Sequence, residues 1–434
     1  MTKSSTWTAL RNPAFRRLWI ATLISGTCVA AHNSAATWMM NVLTGSPFLI
    51  SLMATVASLP FFLFTLPAGV LADKVNRQKF VCGINLWLAA MAAGLAMLGW
   101  LHLLSSYTIL VSVFLVGVGF AFNAPAWTSI VPQVVSDGEL PSASTLSGLQ
   151  FNISGIIGPV LGGFLVPLAG ANFVFAVNAA CFLLVVQAIR QWKQPTVPAK
   201  LASESFAKSF GTVIRYVRCV PRLQVVLARN FLFALFISVI PALMPVVGLQ
   251  VLHLSASQFG LLFTSMGVGS VIGAVFVISW LRARFSPDSV TLSANLLIVL
   301  AYVLMAFVRQ PEVFFAVATL AGVGWTLSAS ELWVAAQRAM PSWARGRMNA
   351  TVIMISQGAM ACGGVIWSFA AAAAGPTYTL LGASVLFLAS LLLTGRLSIN
   401  VRPDLEDTVS GFLSGSVEFG EGTPIALARE LLAA

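Results

Sequence analysis

The sequence predicts an all-α integral membrane protein in which twelve transmembrane helices form two pseudo-symmetric six-helix bundles. Of its 434 residues, 58% are hydrophobic and 9% are charged, whereas a soluble chain carries about 25% charged residues. The charges stand in short groups between long apolar runs. The two halves also resemble each other weakly, because "VGVGFAFNAPAW" (116–127) aligns with "AGVGWTLSASEL" (321–332).

The apolar runs are long enough to cross a bilayer as helices, which takes about 20 residues each. None of the runs alternates as the strands of a membrane barrel do, so helices are the expected spanning element. The predicted spans cover residues 17–40, 46–71, 80–101, 107–131, 142–167, 171–190, 225–251, 257–281, 289–308, 312–337, 347–371 and 377–395.

The basic residues predict the orientation of these spans. If the N-terminus is cytoplasmic, Arg309 alone among the 24 Lys and Arg residues falls outside, as the positive-inside rule requires. We therefore expect a multi-pass protein of the bacterial inner membrane with both termini in the cytoplasm. The first span is expected to be an uncleaved signal anchor. The formal charge of +11 is spread over many loops, so no nucleic-acid partner is expected.

The longest internal polar break divides the chain into four predicted regions. An N-terminal bundle (1–190) and a C-terminal bundle (223–396) flank a cytoplasmic linker (191–222), and a more polar cytoplasmic tail follows (397–434). In the linker, Phe206 and Phe210 open an apolar series at helical spacing with basic residues between its members. That pattern predicts an amphipathic helix on the membrane surface.

Two short motifs stand out against this background. "GVLADKVNRQK" (69–79) lies between the second and third spans, and "SGIIGPVLGG" (154–163) lies in the fifth span. Together with the twelve spans and the two halves, they resemble the major facilitator superfamily, in particular the exporter branch that includes the enterobactin and macrolide efflux proteins. The resemblance runs from about residue 10 to residue 396. It departs from the usual pattern at Asn76 and Ser154, where the family has Gly.

The first motif implies a conformational latch between the halves. In the family this loop holds helices of the neighbouring half when the transporter faces outward, and rocking must break that contact. A loop that only sets orientation would account for the basic residues but not for Asp73. The implied latch residues are Gly69, Asp73, Lys74, Arg77 and Lys79.

The second motif resembles the antiporter motif of the superfamily's exporters. Its small residues allow close helix packing in lipid, and its proline bends the helix. We expect a tight interface with the facing helix of the other half, whereas ordinary small-residue packing is the alternative. The motif residues are Gly158, Pro159, Gly162 and Gly163.

Two ionisable residues within spans are candidates for coupling or gating. Glu331 lies seven residues before Arg338, about 10 Å along a helix. It either carries a proton or pairs permanently with Arg338, Arg345 or Arg347 as a cytoplasmic gate. His32 is either a second proton carrier or a helix contact. The branch's usual fourth-span Arg is replaced by Val113, so the standard proton-relay scheme does not transfer.

Polar and aromatic side chains within spans predict a substrate cavity, because polar groups in a bilayer usually face the bundle interior or a cavity. By analogy with the family, the fourth, fifth and eleventh spans border the central cavity. Each residue alone has a second interpretation as a helix-packing contact. The cavity candidates are Asn33, Asn123, Trp127, Gln150, Asn152, Trp325 and Gln357.

The resemblance implies a secondary active exporter, not an enzyme, that moves small amphipathic molecules by alternating access, with proton antiport as the expected coupling. The alternatives are lysophospholipid transport and a transport-inactive sensor or assembly partner. No P-loop is present, so ATP is not the expected energy source. No cofactor or metal is expected, and the predicted state is a monomer. The five Cys residues show no metal-ligand spacing and are predicted to pack as small apolar groups.

Overall fold

The computed structural model describes residues 7–136, 138–191, 217, 221–339, 345–395 and 398–399. The side chains of 70, 72–74, 128–129, 132, 221–222 and 345–348 are outside this description. The predicted linker helix, except for Val217, and the tail, except for Ser398 and Ile399, also lie outside it. The four region boundaries therefore stay predictions.

The N-terminal bundle consists of six long helices. Asn12 starts the first of them, because its side chain accepts hydrogen bonds from the backbone N–H of Ala14 (3.0 Å) and Phe15 (3.3 Å), which otherwise lack partners at a helix start. Pro13 takes the first helical position, where its missing N–H costs nothing. The helices are α1 (Pro13–Leu43), α2 (Pro47–Lys74), α3 (Arg77–Trp100), α4 (Ser106–Val134), α5 (Leu140–Ala169) and α6 (Ala171–Arg190).

The C-terminal bundle repeats this plan, with two irregular helices. α7 runs through Pro221–Ile237, Val239–Val246 and a π-helical turn at Val247–Val251. α8 runs through Ala256–Ile272, a π-helical segment at Gly273–Val277 and Ile278–Arg282. The remaining helices are α9 (Pro287–Phe307), α10 (Pro311–Arg338), α11 (Arg345–Ala374) and α12 (Pro376–Thr394).

Two glycines mark the same turn in each half. Gly170 joins α5 to α6 and Gly375 joins α11 to α12, and both have φ = 83°, a conformation that favours glycine. The two positions coincide in the alignment that matches residues 116–127 with 321–332. The weak repeat in the sequence is therefore matched by a repeat in the backbone.

Eleven of the described helical runs are long and apolar enough to span a membrane. α1 is not among them, but it has 31 residues and packs against α5 and α6. The predicted spans agree with the helix bounds to within a few residues, and no strand occurs among the described residues. The prediction of an all-helical membrane fold is confirmed.

Each bundle buries its own apolar residues, and the two sets meet where Val246 of α7 joins a cluster with Met40 of α1 and Ile50 of α2. The C-terminal core is continuous from Leu223 to Ile399. Within it, Phe236 stacks on Phe387 with ring centroids 4.8 Å apart, and the Tyr302 hydroxyl donates to the Phe236 carbonyl at 2.8 Å. The N-terminal bundle buries several smaller clusters between α1, α3, α4, α5 and α6.

We name the two ends of the molecule by the chain segments found there. The terminal face is the end where α1 begins at Pro13 and α12 ends at Thr394. The opposite face carries the loops of residues 44–46 and 252–255.

Candidate functional site: a cleft between the bundles

The bundles contact each other between α5 and α8 in the half of the molecule near the opposite face. The Thr264 hydroxyl donates to the Ile156 carbonyl at 2.7 Å, and the Ser257 hydroxyl donates to the Gly163 carbonyl at 3.3 Å. Gly163 and Gly260 bring the two backbones together. A Cβ added to Gly163 would lie 2.7 Å from the Ala256 carbonyl oxygen and 3.1 Å from the Gly260 Cα.

A second contact between the bundles joins α2 to α11. The rings of Phe48 and Phe369 lie 4.9 Å apart. Further along the helices, Thr55 packs against Gly364, and a Cβ on Gly358 would lie 2.6 Å from the ring of Phe62. These two contacts between the bundles begin at the opposite face and extend to about mid-helix.

Toward the terminal face the same helix surfaces lose their partners. Phe151 lies one turn beyond Gly155 on the surface of α5 that meets α8, and it is 78% exposed. Gly69 lies one heptad beyond Phe62 on α2, and a Cβ there would meet nothing within 4 Å. In their described parts, α4 and α10 share no extended packing interface. The molecule is thus closed at the opposite face, and a cleft between the bundles opens to the terminal face.

The second sequence motif faces two different helices, which corrects our expectation. Pro159 and Gly163 meet α8 of the other bundle, as predicted. Gly158 and Gly162 instead face α1 of the same bundle: their added Cβ atoms would lie 2.6 Å from the carbonyl oxygens of Thr27 and Ala31, respectively. Neighbouring positions in a helix point about 100° apart, so one motif serves both interfaces. α5 is thereby packed closely on α1 and on α8.

The departure of the first motif at Asn76 has a structural reason. The Asn76 side chain accepts a hydrogen bond from the Lys79 N–H at 3.0 Å and starts α3 at Arg77. A glycine there would lack this cap. The Gln78 side chain donates to the Ile189 carbonyl at 2.8 Å and joins the motif to α6. The side chains of Asp73 and Lys74 lie outside the described residues.

Glu331 forms an ion pair that the sequence analysis did not name. Its carboxylate, in a side chain that is 3% exposed, accepts from Arg282 Nε at 2.6 Å, and Arg282 is 44% exposed. Arg338, one of the predicted partners, is exposed and forms no ion pair among the described residues. The side chains of Arg345 and Arg347 are not described. Arg282 ends α8, and from there its long side chain reaches the buried carboxylate.

His32 is buried between helices and does not line the cleft. Its ring lies 4.6 Å from that of Phe175 in α6. His32 Nδ1 has no hydrogen-bond partner among the described residues. Asn33, the neighbouring cavity candidate, is exposed. His32 therefore lies inside the bundle, whereas Asn33 lies at the surface of α1.

Two of the predicted cavity residues come together in the N-terminal bundle. Trp127 of α4 and Gln150 of α5 line one pocket with Trp19 and Thr22 of α1. Gln150 Nε2 donates to the Thr22 carbonyl at 3.2 Å.

The other candidates of this bundle lie apart from that pocket. The Asn152 side chain bonds within its own helix to the Gly148 carbonyl at 2.9 Å. The side-chain oxygen of Asn123 is buried without a hydrogen-bond partner among the described residues. Only Trp127 and Gln150 are thus brought into one pocket by the fold.

The two cavity candidates of the C-terminal bundle lie in different surroundings. Gln357 is half-buried and directly precedes Gly358, where the contact between the bundles ends. Trp325 packs against the bundle's own core. The sequence analysis missed Asn230, whose amide donates to the Ser356 hydroxyl at 2.6 Å and joins α7 to α11 beside Gln357. A polar Asn near the start of a predicted span was the feature of the sequence that could have identified it.

Comparison with known proteins gives the family. The family model described as transmembrane secretion effector matches residues 4–412. The chain belongs to this family. The family is part of the major facilitator superfamily, so this protein is a membrane transporter and not an enzyme. The enterobactin exporter of Citrobacter koseri is 25% identical, with 78% of this chain and 80% of that protein aligned. Macrolide efflux protein A of Streptococcus pyogenes is 21% identical, with 61% of this chain and 65% of that protein aligned.

Solved structures of this superfamily share the fold. A bacterial homologue of the human lysosomal transporter Spinster, inward-facing and unoccupied, aligns with a TM-score of 0.68 at 14% identity and covers 90% of this chain and 96% of its own. A mutant of the nucleoside transporter NupG aligns with a TM-score of 0.71 at 11% identity and covers 88% of this chain and 99% of its own. At these identities the likeness establishes the fold alone.

Proposed function

We propose that this transporter exports small amphipathic molecules from the bacterial cytoplasm by alternating access. The observation that carries the proposal is the cleft, which is closed at the opposite face and open at the terminal face. The chain segments that belong to the terminal face carry every Lys and Arg residue of the sequence except Arg309. The positive-inside rule assigns that face to the cytoplasm. The described state then faces inward, ready to receive a cytoplasmic substrate.

We take the aromatic and amide residues described above to lie along the substrate path, and they favour an amphipathic substrate. Trp127 and Gln150 supply an aromatic surface and an amide in one pocket, and Gln357 and Asn230 add amides from the other bundle. Aromatic surfaces with a few polar groups are typical of sites for drug-sized ligands. The relatives are named as an enterobactin exporter and a macrolide efflux protein, so siderophores and macrolides are the first substrates to test.

The first motif is proposed to latch the outward-facing state. On α2, Thr55, Phe62 and Gly69 follow each other at heptad spacing, and the first two already contact α11. Asp73 lies eleven residues beyond Phe62, and Arg347 lies eleven residues before Gly358 in the antiparallel α11. If α2 and α11 close on each other in the alignment that pairs Phe62 with Gly358, Asp73 comes level with Arg347. The latch is then an ion pair made only when the terminal face closes, with Arg77, Lys74 and Lys79 beside it.

Export is proposed to be coupled to proton antiport, with Glu331 and His32 as the two candidate carriers. Glu331 is held by Arg282 in this state, so protonation of its carboxylate requires that this ion pair breaks. That requirement favours Glu331 as a gate and leaves His32, which has a buried nitrogen without a partner among the described residues, as the other candidate. Lysophospholipid transport and a non-transporting sensor are the competing functions, but no contact among the described residues favours either.

The test is export in an efflux-deficient bacterial host. The native protein, Asp73→Asn, Glu331→Gln and Glu139→Gln are expressed at matched membrane levels. Accumulation of macrolides and catecholate siderophores is measured with and without a protonophore. Glu139 is the control, because it is an acid of the terminal face whose carboxylate bonds its neighbour Ser136 at 2.9 Å.

The proposal predicts that the native protein and the control lower accumulation, that Asp73→Asn does not, and that the protonophore abolishes export. If the native protein changes no accumulation across the panel, drug and siderophore export is refuted. If export persists unchanged in Asp73→Asn, the latch is refuted. Protonophore-sensitive export by Glu331→Gln would remove Glu331 as the proton carrier and leave His32.

A further inference from the structure

Two cysteines on different helices lie in contact inside the N-terminal bundle. Cys28 of α1 and Cys181 of α6 have sulfur atoms 3.0 Å apart. Cys181 is buried and Cys28 is half-buried, and both are free thiols. A disulfide has a sulfur–sulfur distance of about 2.05 Å, so bond formation requires an approach of only about 1 Å.

The surrounding contacts already hold the two helices at this separation. One turn from Cys28, His32 packs on Phe175 of α6 with ring centroids 4.6 Å apart. On its other side, α1 packs closely against Gly158 and Gly162 of α5. The two helices are therefore held close together before the sulfur atoms join, and cysteines held far apart cannot be bridged without backbone movement.

The other described cysteines lack such a partner. Cys82 has the Val186 carbonyl as its neighbour, at 4.0 Å from its sulfur. Cys362 is exposed on α11. Among the described residues, Cys28 and Cys181 are thus the one pair placed for disulfide chemistry, and the chain supplies internal controls.

The pair also lies deep in the membrane. Cys28 is at the centre of α1 (Pro13–Leu43), and Cys181 is at the centre of α6 (Ala171–Arg190). An oxidant that partitions into the acyl chains reaches this depth. Lipid hydroperoxides, which carry their peroxide group on the acyl chain, are oxidants of this class.

We propose that Cys28 and Cys181 are a reversible oxidation site for lipid hydroperoxides. Half-buried Cys28 reacts first: its sulfur takes one peroxide oxygen, giving a sulfenic acid and the lipid alcohol. The Cys181 thiol then displaces water from that sulfenic acid, giving the Cys28–Cys181 disulfide. A thiol reductant restores both thiols by exchange. The neighbouring thiol stops oxidation at the disulfide, before the irreversible sulfinic acid forms.

The bridge joins two helices of the same bundle. Because both cysteines belong to the N-terminal bundle, rocking of one bundle against the other leaves the contact between α1 and α6 in place. Oxidation at this site is therefore compatible with continued export, whereas sulfinic acid at Cys28 would place a charged group between packed helices.

The test uses the full-length protein in native membranes. Membranes are treated with cumene hydroperoxide, a hydroperoxide that partitions into lipid, and free thiols are then blocked with a maleimide. The protein is digested without reduction and analysed by mass spectrometry. The variants are Cys181→Ser, in which Cys28 has no partner, and Cys82→Ser, a matched control of a buried cysteine on α3.

We expect a disulfide-linked Cys28–Cys181 peptide in the native protein and in Cys82→Ser, lost after dithiothreitol treatment. In Cys181→Ser we expect Cys28 as sulfinic or sulfonic acid and no linked peptide. All three proteins are solubilised in detergent and compared by size-exclusion chromatography, and equal elution volumes show that they are folded. The proposal is overturned if the native protein shows both cysteines still blocked by maleimide, oxidised separately, or linked to other cysteines. If export falls as the disulfide forms, the claim that the disulfide allows the bundles to rock is refuted.

Discussion

Replacing Gly163 by Ala should selectively disfavour the described state. The added Cβ would lie 2.7 Å from the Ala256 carbonyl oxygen and 3.1 Å from the Gly260 Cα, both closer than ordinary contact. These neighbours are backbone atoms of α8, so they give way only if the bundles separate at the opposite face. Overpacking of this kind costs about 1–3 kcal/mol. The clash exists only while α5 meets α8, so the inward-facing population should fall about 5- to 150-fold relative to the outward-facing one.

The assay is cross-linking across the closed face. In a variant without native cysteines, Phe48→Cys and Phe369→Cys are introduced where the two rings lie 4.9 Å apart. A short bis-methanethiosulfonate reagent links this pair only while the opposite face is closed. We expect a lower rate of linking in Gly163→Ala, in proportion to the lost population.

Gly155→Ala is the matched control. It lies on the same helix, and its Cβ would meet nothing within 4 Å, so it should link at the parent rate. Gly158→Ala provides the contrast, because its Cβ would clash with α1 of the same bundle. It should lower thermal stability without favouring either state. Equal linking rates in Gly163→Ala and Gly155→Ala would refute the reasoning.

Three further predictions concern the ion pairs of the terminal face. Arg282→Ala should lower the free energy of unfolding by about 2–3 kcal/mol, less than for a fully buried pair because the arginine is partly solvated, as measured by the thermal midpoint. Asp288→Asn should weaken the bonds to Arg229 (2.5 Å) and the Ile399 N–H (3.0 Å) and speed hydrogen exchange at residue 399. Reversing Asp73 to Arg should abolish export, and the double reversal Asp73→Arg with Arg347→Asp should restore part of it.

Each of these predictions has an outcome that would contradict it. Arg284→Ala is the control for the first, because that arginine lies over the Trp280 ring at 4.6 Å and pairs with no described acid; equal losses from both variants would refute a special role for Arg282. For the second, unchanged exchange at Ile399, which is 1% exposed, would show that packing alone holds it. For the third, no recovery in the double reversal would refute the Asp73–Arg347 register.

The sequence predicted the helices well because hydrocarbon thickness sets their length. An apolar run of about 20 residues has no stable alternative to a helix in a bilayer. The predicted α10 of 312–337, for example, is observed as Pro311–Arg338. The number of bundles followed from the internal repeat, which Gly170 and Gly375 reproduce in the backbone.

Helix facing was not predictable in the same way. Gly158 and Gly163 belong to one motif, yet they meet different helices, because α5 lies between α1 and α8. Only the packing of three helices decides which glycine faces which neighbour.

The pairing of charges between helices was also hidden. Glu331 and Arg282 are separated by 49 residues and share no local pattern. Asp288 likewise binds Ser398 at 2.6 Å, across 110 residues. Such pairs form because the terminal ends of neighbouring helices meet after folding, so spacing in the sequence carries no trace of them.

The central claim is that the chain exports substrate by alternating access, and transport into everted membrane vesicles tests it most directly. Vesicles carrying the Phe48→Cys/Phe369→Cys protein are given a labelled macrolide or siderophore before linking, after linking and after reduction. The account predicts uptake above empty vesicles, loss of uptake when the link holds the opposite face closed, and recovery when the link is reduced. Uptake that continues in the linked protein would contradict alternating access, and no uptake in any condition would contradict export of these compounds.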